Sequence, residues 1–244
     1  MLQISIVLLV GVLVGILNGA AGGASVLSFP VLVAVGLNPV SATMTNAIGA
    51  FPANIFALIG KRQNVSLVIK EHSKILIATS VGAIVGALAL TILPEENFKK
   101  IVPFLLLIAS FSMLIKVGPA LTAIERRIEI TLMTLIGIYC GYFGPGQGVM
   151  VIAILARDAG RSVATINISK NVIVTISNIF SNIIFILSGH VNGKFVLPLA
   201  LGCSAGGYIG GHIAGKFNRN VYKSIIFAVG FLSSLWFFYQ YWIH

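Results

Sequence analysis

The first 60 residues contain no Asp, Glu, Lys, Arg or His. A soluble domain of that length carries charged residues on its wet face, so this absence excludes one. One bilayer crossing takes about 20 residues, which leaves room for three passes, or for a broken helix and one more. Charge stays scarce further on: 9% of the 244 residues are charged and 57% are hydrophobic. The six acids (Glu71, Glu95, Glu96, Glu125, Glu129 and Asp158) all lie in or beside gaps between apolar runs. No buried carboxylate is therefore available to relay a proton or sodium ion, which argues against a carboxylate-based antiport. Uniport, or coupling through a proton carried by the solute itself, stays open.

Cysteine and histidine are equally sparse. Cys140 and Cys203 sit inside apolar runs with no CxxC spacing, and His72, His190, His212 and His244 are scattered. A disulfide framework or metal site is not expected, and the cysteines read as small buried hydrophobes. No Ser/His/Asp set or carboxylate pair falls within the apolar segments, so no catalytic residue, cofactor or enzymatic activity is expected.

What is present is a chain for the lipid bilayer. The N-terminal MLQISIVLL lacks the basic residue of a secretory signal and reads as a retained first helix. Ten apolar segments follow one another: 3–17, 24–36, 41–60, 75–93, 101–115, 130–143, 148–156, 163–188, 195–215 and 224–243. The second and seventh are too short to cross alone. Each follows a glycine cluster, Asn18 to Gly23 in one case and Gly144 to Gly148 in the other. Backbone of that kind cannot face lipid, so it must line a cavity or pack on protein.

If each short segment reverses direction, the loops at 61–74, 116–127, 157–161 and 216–223 share one side and hold twelve Lys/Arg, against three on the other. The positive-inside rule makes the first side cytoplasmic and places both termini on the non-cytoplasmic side of the cytoplasmic (inner) membrane. It also accounts for the net charge of +10 without nucleic acid, which is not expected as a partner.

The sequence repeats internally. Gly11-x3-Gly15 returns as Gly137-x3-Gly141, and Asn54-Ile55-Phe56 returns as Asn178-Ile179-Phe180 at an offset of 124. At that offset Gly82/Gly86 match Gly206/Gly210, and Lys99 and Ile101 match Lys223 and Ile225. With five segments per copy, the second enters from the opposite side, which is the inverted repeat of secondary transporters. The expected fold is all-α: a polytopic transmembrane bundle of two inverted repeats, 1–120 and 128–244, each with a broken or re-entrant short helix. Glycines at four-residue spacing within the long segments read as close-packing positions.

Two broken helices aim free amides and positive dipole ends at one place, which suits an anion. Candidate substrate-binding residues are Asn18, Gly22, Gly23 and Ser25 at the first break and Gly146, Gln147 and Gly148 at the second. Thr45, Asn46, Ser169 and Lys170 join them from two polar stripes related by the repeat. Neutral donors suit an anion that must be released again. Lys170 lies well inside an apolar segment; it can face the anion path, snorkel to headgroups or pair with backbone carbonyls.

The run G-x3-G-x-x-N-G-A-A-G-G-A-S-V-L-S-F-P-V-L, the S-A-T-M-T-N after Pro39, and the later G-x3-G-Y-F-G-P-G-Q-G and V-A-T-I-N-I-S-K-N resemble the sulfite exporter TauE/SafE family of membrane permeases. The likeness spans both repeats. It implies transport of a sulfur-containing anion such as sulfite, a sulfonate or sulfoacetate by alternating access. An anion channel or a non-transporting membrane scaffold remain alternatives, and the sequence does not set the oligomeric state.

Overall fold

Each of the ten apolar segments carries a helix, since intrahelical bonding is what satisfies the backbone in lipid. The computed structural model describes residues 1–20, 22–59, 61–114, 125–157, 162–213 and 219–243. Residues 115–124, 158–161 and 214–218, in or beside three of the expected cytoplasmic loops, lie outside these, as do Ala21, Gly60 and His244. The order is α1 (Leu2–Ala20), α2 (Ser25–Ala34), α3 (Pro39–Phe56), α4 (Arg62–Glu71), α5 (Ser73–Ile92), α6 (Glu95–Ser112), α7 (Arg126–Tyr142), α8 (Gln147–Leu155), α9 (Val163–Ser188), α10 (Gly193–Ile213) and α11 (Arg219–Phe238), closed by a π turn at Tyr239–Ile243. No strand occurs among the described residues. The chain is an all-α polytopic bundle.

Five of these helices, α1, α5, α9, α10 and α11 with its π turn, are long and apolar enough to cross a bilayer. Their outward residues, such as Ile77, Val81 and Val85 on α5, are exposed as lipid-facing residues are. By contrast α2 has 10 residues and α8 has 9, about 15 Å or less of helix against a core of about 30 Å. Gln3 Nε2 donates to Val35 O at 3.4 Å, so α2 folds back towards the end at which α1 begins.

One helix lies where a loop was expected. α4 occupies 62–71 within the stretch 61–74. Lys, Arg, Gln, Asn and Glu interrupt its sequence, so no uncharged run marks it. Burial of Val68 in a cluster with Ile75, Ile166 and Ile173 holds it against the bundle. Helices α6, α7 and α11 likewise start several residues before their apolar runs, on charged residues. In α6 the acids Glu95 and Glu96 occupy the first turn, where the dipole favours them. Lys99 pairs with both, at 3.1 and 2.8 Å.

Matching caps open α3 and α9. Asn38 Oδ1 accepts from Ser41 N at 2.7 Å, and Ser162 Oγ accepts from Thr165 N at 3.1 Å; the two caps stand 124 residues apart. An N-cap is worth about 1 kcal/mol. Asn38→Ala and Ser162→Ala are each expected to lower the melting midpoint in detergent by about 2–4 °C, read by a thermal-shift assay.

Glycine decides which helices touch. A Cβ on Gly15 of α1 would sit 2.6 Å from Cys203 O and 2.8 Å from Gly207 N of α10. Gly11 meets Leu199 and Gly202, and Gly19 meets Gly207 and Gly211, so contacts rise together and the helices run parallel. α5 and α7 repeat the arrangement, Gly82 against Thr134 and Ile138 and Gly86 against Ile138 and Tyr142. Each pair joins a helix from the first half of the chain to one from the second. Parallel packing sets two negative helix ends side by side, and lysines meet both. Lys170 Nζ donates to Asn18 O of α1 at 2.7 Å, and Lys61 Nζ to Gly211 O of α10 at 3.0 Å. Burial pulls the Lys61 pKa below the ordinary lysine value.

Candidate functional site between two broken helices

Both glycine clusters break the helix in the same way. Gly22 N donates to Leu17 O at 3.0 Å and Gly144 N to Tyr139 O at 3.1 Å, so an i→i−5 bond ends α1 and α7 alike. Left-handed glycines then turn the chain: Gly22 and Gly23 (φ 84° and 89°) after α1, Gly144 and Gly146 (φ 90° and 87°) before α8. A side chain at these angles is strained. The breaks also meet each other, for a Cβ on Gly22 would lie 3.3 Å from Gly148 Cα. The Lys170 stem lies across both, its Cδ 3.5 Å from that Cβ and 3.3 Å from one on Gly148.

Beside this crossing lies a cavity of about 30 Å3, room for roughly two waters, so a larger solute needs its walls to part. From the first break come Asn18 and Ser25, and from the second Phe143, Gly144, Pro145 and Gln147. α3 adds Asn46, Ala47, Ala50, Phe51 and Asn54; α7 adds Cys140 and α9 adds Asn178. Five carboxamides, Asn18, Asn46, Asn54, Gln147 and Asn178, therefore face one space, and among the described residues its lining carries no formal charge. Phe29 of α2 braces the Phe143 wall edge-on, with ring centroids 5.1 Å apart.

The carboxamides are oriented by neighbours. Asn18 Oδ1 accepts from Ala24 N at 2.8 Å, tying the end of α1 to the start of α2. Asn46 Nδ2 donates to Ser25 O at 3.2 Å while its Oδ1 accepts from Ser28 Oγ at 2.6 Å. Asn178 Oδ1 accepts from Cys140 Sγ at 2.9 Å and from Gln147 Nε2 at 3.4 Å. With that oxygen engaged, the Asn178 amide nitrogen is the group left to serve a solute.

The residues singled out from sequence fall into three places. Asn18, Ser25, Asn46 and Gln147 line the cavity. Gly22, Gly23, Gly146 and Gly148 build the breaks around it: Gly23 faces Met113 and Val149, and Gly146 faces Ala109 of α6. Thr45, Ser169 and Lys170 stand outside the lining. Thr45 Oγ1 accepts from Asn192 N at 3.0 Å, Ser169 Oγ is buried without a partner among the described residues, and Lys170 is fully buried on the α1 carbonyl. Of the readings open to Lys170, this structure displays the pairing with backbone carbonyls. Asn54, Asn178 and Cys140 line the cavity without having been singled out. Asn54 and Asn178 had a signal, because they are the first residues of the Asn-Ile-Phe match between the halves. Cys140 had none; it is buried, as expected of a small hydrophobe, and still reaches Asn178.

The signature of the family described as sulfite exporter TauE/SafE matches residues 7–237, nearly the whole chain. The chain belongs to the sulfite exporter TauE/SafE family. Its relatives carry transporter names. It is 28% identical over 218 residues to a probable membrane transporter protein, ORF9, of Sinorhizobium sp., covering 86% of this chain and 82% of that one. Against the probable membrane transporter protein YfcA of Escherichia coli K12 identity is 26% over 241 residues, with 96% and 88% covered. A probable membrane transporter protein of Haemophilus influenzae is 24% identical over 253 residues, with 99% and 97% covered. No solved structure gives a significant match. A TauE/SafE chain with this bundle is a multi-pass membrane transporter, with the bilayer and a small solute as its partners.

Proposed function

We propose that this permease moves a small anion, a sulfur oxyanion such as sulfite, a sulfonate or sulfoacetate, across the cytoplasmic (inner) membrane by alternating access. The observation that carries this reading is the cavity between two broken helices, walled by five carboxamides and, among the described residues, by no charged group. Amide donors and the start of α8 stabilise negative charge there, and a lining without a fixed cation among the described residues lets the anion leave. The sulfur assignment is supported by the family description, which names sulfite.

The repeats are read as inverted copies, with both termini non-cytoplasmic. Three contacts support that topology by joining regions assigned to one side. Gln3 meets Val35, Ser41 Oγ donates to His190 O at 2.8 Å, and Trp242 Nε1 donates to Lys100 O at 3.1 Å. Lys61 meeting Gly211 joins two on the other.

Proteoliposomes loaded with sulfite or a short sulfonate test the reading. Flux is expected to saturate. Gln147→Ala and Asn178→Ala each remove a hydrogen bond to a charged partner, worth about 1.5–3 kcal/mol, and should raise half-saturation roughly tenfold or more. Currents linear in voltage without saturation would instead establish a channel. Unaltered flux in both variants would remove the cavity from the transport route.

A further inference from the structure

The cavity is asymmetric in a way that the internal repeat makes informative. Both breaks line it, through Asn18 and Ser25 on one side and Gly144 and Gln147 on the other, and so do both members of the pair Asn54 and Asn178, which the offset of 124 relates. The rest comes from one side only. α3 contributes Asn46, Ala47, Ala50 and Phe51, whose counterparts 124 residues on are Lys170, Asn171, Val174 and Thr175 of α9. Cys140 of α7 and Phe143 just after it line the cavity; at the offset of 126 that relates Gly11 and Gly15 to Gly137 and Gly141, their counterparts on α1 are the buried Val14 and Leu17. An open face between α3 and α7 thus stands opposite a closed face between α9 and α1.

The closed face is latched and polar. Lys170 Nζ donates to Asn18 O at 2.7 Å and Asn167 Nδ2 to Gly19 O at 3.0 Å, fastening α9 to the end of α1. Behind that latch both ends of the Asn171 carboxamide, together with Thr175 Oγ1, are buried without a hydrogen-bond partner among the described residues. A helix face that stayed closed would gain nothing from such groups, whereas one that opens to water and solute uses them.

We infer that the permease has a second binding face, on α9, presented when the halves exchange roles: Lys170, Asn171 and Thr175 then line the cavity where Asn46, Ala47 and Phe51 line it now. Asn54 and Asn178 stay in place through the exchange as the shared floor. The face takes the same small anion, and there the Lys170 ammonium, released from Asn18, meets it directly. This rests on the alternating-access reading above, and not on which anion is carried.

Ala47→Cys and Asn171→Cys, made singly in the full chain with Cys140 and Cys203 retained, provide the test. Right-side-out and inside-out membrane vesicles are treated with a membrane-impermeant maleimide, and the modified peptide is located by mass spectrometry. Ala47→Cys is expected to react from one membrane face and Asn171→Cys from the opposite one. Adding Lys170→Met, which unfastens the latch, should speed labelling of Asn171→Cys about tenfold and slow that of Ala47→Cys. Val174→Cys serves as a second probe of the α9 face. Failure of both α9 probes from either side while Ala47→Cys reacts would overturn the exchange, as would reaction of α3 and α9 probes from one side. The opposite-sided pattern without sulfite flux would support the exchange and remove only the anion assignment.

Discussion

Gly86→Ala is expected to leave little folded permease. The new methyl group would strike the Ile138 carbonyl oxygen and lie 2.7 Å from Tyr142 N, both backbone atoms of α7. No side chain is available to swing away, so α5 and α7 must separate along their whole contact. Ordinary overpacking of a core costs about 1–3 kcal/mol, and this substitution should exceed that range. In lipid, close backbone approach is a main source of helix association. Gly193→Ala is the control: it lies at the start of α10 with nothing within 4 Å, and its effect should stay within about 0.5 kcal/mol. Monodisperse yield and melting midpoint in detergent compare the two. Equal behaviour would mean that the α5–α7 glycines do not set the helix spacing.

Lys170→Met is expected to separate stability from transport. A lysine at the centre of a bilayer costs about 2.5–3.5 kcal/mol, and its bond to the Asn18 carbonyl returns about 1.5–3 kcal/mol. Those figures nearly cancel, so methionine, which keeps the stem that packs on Gly22 and Gly148, should change the melting midpoint by less than about 1 kcal/mol in free-energy terms. Flux per folded molecule should fall tenfold or more, because the contact proposed above to distinguish two states of the cavity is gone. A variant that melts far lower yet transports normally would make Lys170 a strut and nothing else.

How much of this was legible beforehand depended on the range of the interaction. The clusters at 18–23 and 144–148 could be read as breaks because glycine runs and shortened apolar segments are local signals, and the structure ends α1 at Ala20 and α7 at Tyr142 and starts new helices at Ser25 and Gln147. Of the residues those breaks and the polar stripes suggested, Asn18, Ser25, Asn46 and Gln147 line the cavity, whereas Thr45, Ser169 and Lys170 do not. Lys170 marked itself as costly, but its partner is 152 residues away and no spacing rule reaches that far. Thr45 looked like its neighbour Asn46, yet one step along a helix turns a side chain by about 100°, and it serves the Asn192 turn instead. α4 escaped notice because an amphipathic helix at the bundle edge breaks no rule for a charged loop. The partner of each glycine-lined helix was hidden too, since α1, α5, α7 and α10 all carry glycine at four-residue spacing and do not advertise which will pair.

That last pairing bears on how the protein is made. Gly11 of α1 rests against Leu199 and Gly202 of α10, which the ribosome produces nearly at the end of synthesis. At roughly 5–20 residues per second the first helix waits on the order of 10–40 s in the bilayer with its glycine seam uncovered. Biogenesis of this transporter must shelter that seam, whether by an insertase or by a transient neighbour, until the late helix arrives to claim it.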